Sequence, residues 1–129
     1  MPVGIMSGFT GNAGDIPPHE AVAEFAGLMG QGEGIHAAYR LVRDAIVFTH
    51  WRLMLVDKQG LTGKKCEYHS IPYKNISHFA VETAGHMDGD AELKIWVGHG
   101  EDPTFHLEFS RSVDIYKIQA MLTQFVVAR

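Results

Sequence analysis

The chain has 129 residues, the length of a single domain, and 46% of them are hydrophobic, which is enough to build a packed core. Its formal net charge is -4, which argues against nucleic-acid binding because domains with that function are usually basic. A single cysteine excludes an internal disulfide framework, and no run approaches the roughly 20 apolar residues of a membrane-spanning helix. The first 39 residues contain no Lys or Arg, so we expect no secretory signal peptide and a cytoplasmic protein.

The N-terminal quarter of the chain predicts an arm followed by one helix. Residues 1–16 are glycine-rich and show little pattern, whereas Pro18–Met29 predicts a helix, because proline is tolerated in a first helical turn. From Gly32 the apolar period changes to two, which predicts β-structure. We therefore divide the chain into an N-terminal arm and helix over residues 1–31 and one domain over residues 32–127. The apolar residues that follow helical spacing in the first helix are Val22, Phe25, Leu28 and Met29.

The remainder predicts a run of about seven antiparallel strands and a closing helix. Glycine-bearing turns separate the strands, and the second and third are nearly continuous apolar runs, which is typical of strands covered on both faces. A helix from Val113 to Val127 carries one apolar stripe, with Ser112 as its predicted N-cap. Because twist closes such a meander, we expect a barrel or an orthogonal pair of sheets capped by the C-terminal helix. The predicted strands cover residues 35–42, 45–50, 51–57, 64–71, 76–83, 91–97 and 105–109.

No motif in the chain predicts catalysis, a cofactor or a metal. There is no nucleophile elbow and no Cys–His pair with supporting context, so we expect no enzyme activity. The segment Gly60–Lys65 has two residues between its glycines where a phosphate loop needs four, which favours a hairpin. Eight histidines form no helical metal motif. The densest group of possible ligands is His86, Asp88, Asp90 and Glu92, and its spacing does not match a calcium loop.

Four segments carry a resemblance to a known family. They are YRLVRD at Tyr39–Asp44, the run Phe48–Lys65, YHSIPYKNI at Tyr68–Ile76 and ETAGHMDGDAELKIW at Glu82–Trp96. With them the chain resembles the bacterial pleckstrin-homology (PH) domain family from about residue 32 to residue 125. The resemblance implies a PH-like, seven-stranded antiparallel barrel capped by a C-terminal helix, here with an extra N-terminal helix.

The same resemblance implies a non-enzymatic interaction or scaffold module. Members of the family look like assembly-forming proteins, and a ring-shaped homo-oligomer of five subunits is the family expectation. The function expected for this chain is therefore self-assembly and presentation of a protein-binding surface to a partner of unknown identity. No cofactor is implied, and no nucleic-acid partner.

Two sets of residues are candidates for contacts with partners. The aromatic residues Trp51, Tyr73 and Trp96 are predicted to be exposed at a subunit interface, where such residues are enriched, although Trp96 could instead pack under the N-terminal helix. The alternative function is binding of anionic lipid or phosphoinositide. Against it, the connection at Arg43-Asp44 is short and lacks the long basic loop of phosphoinositide-binding PH domains. Arg43 and Asp44 could equally form a structural ion pair. The basic set consists of Arg40, Arg43, Arg52, Lys58, Lys64, Lys65 and Lys74.

Overall fold

The computed structural model of the chain describes residues 14–41, 44–60, 64–85 and 90–128. The chain forms two compact units, Met1–Ser70 and Ile71–Arg129. The elements of the first unit are α1 (Pro18–Phe25) with a 3-10 turn at Ala26–Leu28, β1 (Ile35–Arg40), β2 (Ala45–Thr49), β3 (Arg52–Gln59) and most of β4 (Lys65–Pro72). Those of the second are a 3-10 turn at Tyr73–Asn75, β5 (Ile76–Glu82), β6 (Asp90–Val97), β7 (Phe105–Ser110), α2 (Ile115–Leu122) and a π-helical turn at Thr123–Val127.

The strands form two antiparallel sheets, a four-stranded one in the order β1-β2-β3-β4 and a three-stranded one in the order β5-β6-β7. Within each sheet, strands that are neighbours in sequence pair with each other, which is the arrangement that short turns favour. The predicted mostly-β architecture, with seven strands between an N-terminal and a C-terminal helix, is confirmed. The predicted strand limits agree with the observed ones to within about two residues, as expected for element ends.

Helix α1 packs on one face of the four-stranded sheet. Phe25 and Ala21 are its buried residues, whereas Val22 is exposed, so apolar spacing alone predicted the wrong edge of the helix. A small alanine lets the helix approach the sheet closely, and Phe25 then fills the space above the strands. The cluster formed by the helix and the sheet consists of Ile16, Ala21, Phe25, Ala38, Ala45, Val47, Met54 and Val56. All five residues of β2 are buried, as its continuous apolar pattern predicts.

The two edges of the four-stranded sheet differ. Along β1, the amide of Ile16 donates to the carbonyl of Ala38 at 2.9 Å, and the amide of Arg40 donates to the carbonyl of Gly14 at 2.7 Å. Residues 14–16 therefore cover the outer side of β1 with short antiparallel pairing. At the opposite edge lies β4, whose residues Glu67–Ser70 are all exposed.

In the second unit, the alternating pattern of β6 buries Ala91, Leu93 and Ile95, as expected from its period of two. The stripe of α2 buries four residues at helical spacing, which confirms the predicted apolar face. After Leu122 the helix continues as a π-helical turn, and Phe125 on that turn stacks on Tyr73 with ring centroids 4.8 Å apart.

The start of α2 differs from the prediction. The N-cap is Asp114, whose carboxylate accepts hydrogen bonds from the backbone amides of Tyr116 at 3.1 Å and Lys117 at 3.3 Å. Ser112 was predicted for this role but lies in the preceding turn, where its amide donates to the hydroxyl of Ser110 at 3.2 Å. A carboxylate at the N-cap also faces the positive end of the helix dipole.

Candidate functional site

A buried ion pair lies beside the turn that joins β2 to β3. The Glu33 side chain is 1% exposed, and its Oε2 lies 2.8 Å from Nε of Arg52. Its Oε1 accepts from Nη2 of Arg52 at 3.0 Å and from the amide of Gly30 at 2.9 Å. The hydroxyl of Thr49 donates to Oε2 at 2.6 Å. Both carboxylate oxygens are therefore fully hydrogen-bonded, the condition under which a buried charge is tolerated.

The ionisation of Glu33 reflects this environment. Burial alone would raise its pKa, but hydrogen bonds from Arg52, Thr49 and the Gly30 amide, together with the charge of Arg52, lower the pKa from 4.5 to about 2. The carboxylate is consequently charged at any physiological pH. The pair is a fixed structural element, and its protonation does not change in the range where a proton-transfer group would act.

The same arginine joins three parts of the first unit. Its Nη2 donates to the carbonyl of Leu28, at the end of the 3-10 turn after α1, at 2.6 Å. Its Nη1 donates to the hydroxyl of Ser70 on β4, also at 2.6 Å. Arg52 thus connects the C-terminal end of the helical segment to β3 and to the edge strand. Its donors are committed to these oxygens and to Glu33, which leaves little capacity for a phosphate clamp.

Trp51 is the exposed aromatic residue at the tip of the β2–β3 turn, with 53% of its surface accessible. The hydroxyl of Thr49 accepts from its amide at 3.0 Å, which fixes the turn. A Cβ added at Gly30 would lie 3.0 Å from Cζ3 of the indole, so the lack of a side chain at Gly30 lets the ring pack directly on the backbone there. Gly32, at φ 87°, adopts the left-handed backbone conformation that bends the loop beneath the indole ring. This confirms that Trp51 is exposed, and its interface role stays a prediction.

The other two predicted aromatic residues are placed differently. Tyr73 is 5% exposed and stacks on Phe125, so the prediction that its ring is exposed is wrong. The tyrosine begins a 3-10 turn after Pro72, which directs its side chain inward instead of continuing the alternation of β4. Trp96 is half-buried, stacks on His78 with centroids 4.3 Å apart, and donates from Nε1 to the carbonyl of Glu101 at 3.0 Å.

The predicted basic set is only partly available for an anionic ligand. Nη2 of Arg40 lies 2.8 Å from the carboxylate of Glu24, and Arg52 is bound to Glu33. Arg43 lies outside the described residues, and so does any ion pair it makes with Asp44. The carboxylate of Asp44 accepts from the backbone amide of Lys58 at 3.2 Å. The side chains of Lys64, Lys65 and Lys74 are exposed.

Residues 14–41, 44–60, 64–85 and 90–128 contain no group of three or more His, Cys, Asp or Glu side chains that is arranged to hold a metal ion. His86 and Asp88 of the predicted acidic group lie outside these ranges. Within the part of the chain that is described, no helix is both long enough and apolar enough to cross a bilayer.

Sequence reasoning missed Glu33, which lies between glycines in a segment without periodic pattern. Its partner is 19 residues away, so no spacing rule links the two. The only signal was a lone acidic residue in an otherwise uncharged GQGEG run. It also missed the exposed face of β4, where Tyr68 is 46% exposed, and where a hydrogen bond with the Cys66 thiol raises the pKa of the Tyr68 phenol.

Comparison with known proteins gives consistent results. The family model described as "Bacterial PH domain" matches residues 4–126. Among curated relatives, the uncharacterized protein YjqA of Bacillus subtilis (strain 168) is 50% identical over 120 residues, which is 93% of this chain and 96% of that protein. The uncharacterized protein YozO of the same organism is 36% identical over 97 residues, 75% of this chain and 82% of that protein.

Two solved structures share both sequence and fold with this chain. A DUF1696 family protein with a pleckstrin-homology domain from Shewanella loihica PV-4 superposes with a TM-score of 0.79 at 46% identity, covering 90% of this chain and 98% of its own. A pleckstrin-homology domain from Shewanella amazonensis SB2B gives a TM-score of 0.72 at 44% identity, covering 95% and 98%. The PH-like fold expected from the sequence is confirmed.

Proposed function

This chain belongs to the bacterial PH domain family, and from that premise we propose that it is a non-enzymatic interaction module that assembles with copies of itself. The family and its fold are typically non-catalytic, which supports a binding role in general terms. The expected assembly is a homo-oligomeric ring, with five subunits as the family expectation. Such a ring would present one binding surface several times to a protein partner.

The observation that carries the proposal is the exposed edge of the four-stranded sheet. We call this surface the β4 edge patch, formed by Glu67–Ser70 on β4 and by Trp51 on the neighbouring turn. The hydrogen bond between Arg52 and Ser70 holds the turn beside the end of β4. An edge strand offers backbone groups to an incoming strand, and native proteins usually blunt or cover such an edge.

The side chains of the patch have the character of an interface centre. Trp51 and Tyr68 are about half exposed, and residues of these types dominate the energy of binding surfaces, with losses of about 2 kcal/mol or more on truncation. Packing on Gly30 and the hydrogen bonds of the turn already fix the Trp51 side chain, so association costs less side-chain entropy. Trp51 is thus held in place for contact with another protein surface.

The alternative, contact with anionic lipid, has weaker support. A phosphate that approached Arg40 or Arg52 would have to compete with Glu24 or Glu33 for the guanidinium. The Glu33 side chain is almost fully buried, and its carboxylate accepts four hydrogen bonds from three residues, so loss of its arginine partner would leave an unpaired buried charge. Of the remaining lysines, Lys64, Lys65 and Lys74 are exposed and Lys58 is half-buried, and an ammonium group meets a phosphate as a point charge, without the bidentate geometry of an arginine.

Sedimentation equilibrium across micromolar concentrations tests the proposal. The wild-type chain should have a mass several times that of one chain, and a monomer throughout would refute self-assembly. Tyr68→Lys places a charge on the edge strand and should reduce the mass, as should Trp51→Ala. Tyr116→Lys is the matched control, because Tyr116 is 71% exposed on α2 and lies outside the patch.

The control variant distinguishes assembly through the β4 edge patch from assembly through another surface. Circular dichroism should show the same secondary structure for all three variants. If Tyr116→Lys dissociates the assembly while Tyr68→Lys does not, the chain assembles through a surface other than the β4 edge patch. Flotation with anionic and neutral vesicles tests the alternative: salt-sensitive binding to anionic vesicles by the wild-type chain would favour the lipid function.

A further inference from the structure

Two histidines lie next to each other at the open end of the β1–β2 pair, in the first unit. His36 belongs to β1, and His50 directly follows β2. Their ring centroids are 5.9 Å apart, with an angle of 60° between the ring planes. Both residues are exposed, and neither belongs to the apolar cluster beneath α1. Packing of the core therefore does not explain why the two rings are adjacent.

The local backbone brings the rings together. The register between β1 and β2 shifts between Ile35 and Ala37, so His36 occupies an irregularity of the bulge type. Such irregularities redirect a side chain relative to the regular pleat and are often found beside functional sites. The amide of His50 donates to the carbonyl of Gly34 at 3.1 Å, which fixes the approach of the second histidine.

Gly34 also leaves space for the His50 ring. A Cβ at this position would lie 3.2 Å from Cε1 and 3.3 Å from Nδ1 of that ring, closer than an ordinary contact. The ring consequently rests directly on the backbone of Gly34. The residues before and after His50 in the chain, Thr49 and Trp51, belong to the hydrogen-bonded turn around Glu33, which fixes the backbone at His50.

The distance between the rings suits shared coordination of one metal ion. A ligating nitrogen lies about 2.1 Å from a metal such as zinc, which places each ring centroid about 3.2 Å from the ion and the two centroids about 4.5–6 Å apart. The observed separation of 5.9 Å lies in this range. Imidazole is a preferred ligand of copper, zinc and nickel, and copper binds most tightly in the general order of divalent affinities.

We propose that His36 and His50 form a two-histidine site for a divalent transition metal, with Cu²⁺ bound more tightly than Zn²⁺. The remaining coordination positions would be open to water or to a ligand from another molecule. Neither histidine belongs to the β4 edge patch, although Trp51 of that patch directly follows His50, and the inference does not depend on self-assembly. Hard cations such as Mg²⁺, which prefer oxygen ligands, should not bind there.

Trp51, adjacent to His50, provides the readout. In a Trp96→Phe background it is the sole tryptophan of the chain, and Cu²⁺ bound nearby should quench its fluorescence. Titration with CuSO₄ should give saturable quenching with one equivalent per chain, and MgCl₂ should have no effect. His36→Gln and His50→Gln should each weaken binding by at least about tenfold, since even outer-sphere partners of a metal ligand are worth 10- to 100-fold.

His99→Gln is the matched control, because this exposed histidine lies on the β6–β7 loop of the second unit. It should leave the affinity unchanged. Any of three results would overturn the proposal. They are quenching in His50→Gln equal to that of the unsubstituted chain, a loss of affinity in His99→Gln comparable to that in His50→Gln, and quenching that never saturates. NMR provides a second measurement, in which Zn²⁺ should shift the imidazole resonances of His36 and His50 before those of the other histidines.

Discussion

The Glu33–Arg52 pair predicts a pH-dependent stability that a single substitution should remove. In the folded chain the pKa of Glu33 is lowered from 4.5 to about 2. Burial alone would raise it, but hydrogen bonds from Arg52, Thr49 and the Gly30 amide, together with the charge of Arg52, outweigh that effect. Each pKa unit corresponds to about 1.4 kcal/mol, so ionisation of this carboxyl contributes about 3 kcal/mol to the free energy of unfolding. The Glu33 side chain is 1% exposed but that of Arg52 is 22% exposed, so solvent screens the pair in part and about 3 kcal/mol is the upper limit of this contribution.

The sign of the effect follows from proton uptake. Between about pH 4.5 and pH 2 the unfolded chain binds a proton at Glu33 that the folded chain does not. The stabilisation is therefore complete above pH 4.5 and is lost as the pH falls towards 2. About 2 kcal/mol of it should be gone at pH 3.

Urea unfolding of the wild-type and Glu33→Gln chains at pH 7 and at pH 3 measures this contribution. Other carboxyl groups affect both chains alike, so the difference in unfolding free energy between the two chains should shrink by about 2 kcal/mol at the lower pH. Glu20→Gln, at an exposed position on α1, controls for the substitution itself. A wild-type to Glu33→Gln difference that is the same at both pH values would refute the argued role of the buried pair.

Four further substitutions test individual parts of the fold by their effect on unfolding or spectra. Phe25→Ala should cost about 3–5 kcal/mol in urea unfolding, because it empties the space between α1 and the sheet. Asp114→Ala should cost about 1 kcal/mol by loss of the N-cap of α2, whereas Ser112→Ala should cost less than about 0.5 kcal/mol. Gly30→Ala should displace the Trp51 indole, visible as a changed near-ultraviolet circular dichroism spectrum, because the new Cβ would lie 3.0 Å from the ring.

The parts of the fold that sequence predicts well are those with a strong local period. The alternation along β6 and the stripe on α2 both match the buried residues observed. The N-cap of α2 was misplaced by two residues, because Ser112 and Asp114 are both good capping residues and only the turn at Ser110 decides between them. Local pattern could not make that choice.

The candidate site depends on contacts that sequence does not encode locally. Arg52 was predicted as part of a basic surface, but Glu33 and Leu28, which come 19 and 24 residues earlier, engage its guanidinium. Tyr73 follows an alternating strand, yet Pro72 and the 3-10 turn rotate it inward onto Phe125. In both cases a partner that is distant in sequence determines whether a side chain is available for binding.

The short pairing of residues 14–16 with β1 bears on where the chain can be truncated. A fragment that begins at residue 32, the start of the predicted domain, would lose this pairing together with α1. It would then expose a bare β1 edge and the apolar face formed in part by Ala38, Val47 and Met54. Uncovered strand edges next to apolar surface favour uncontrolled aggregation. We expect a fragment that begins at Gly14 to stay dispersed on heating where one that begins at residue 32 precipitates.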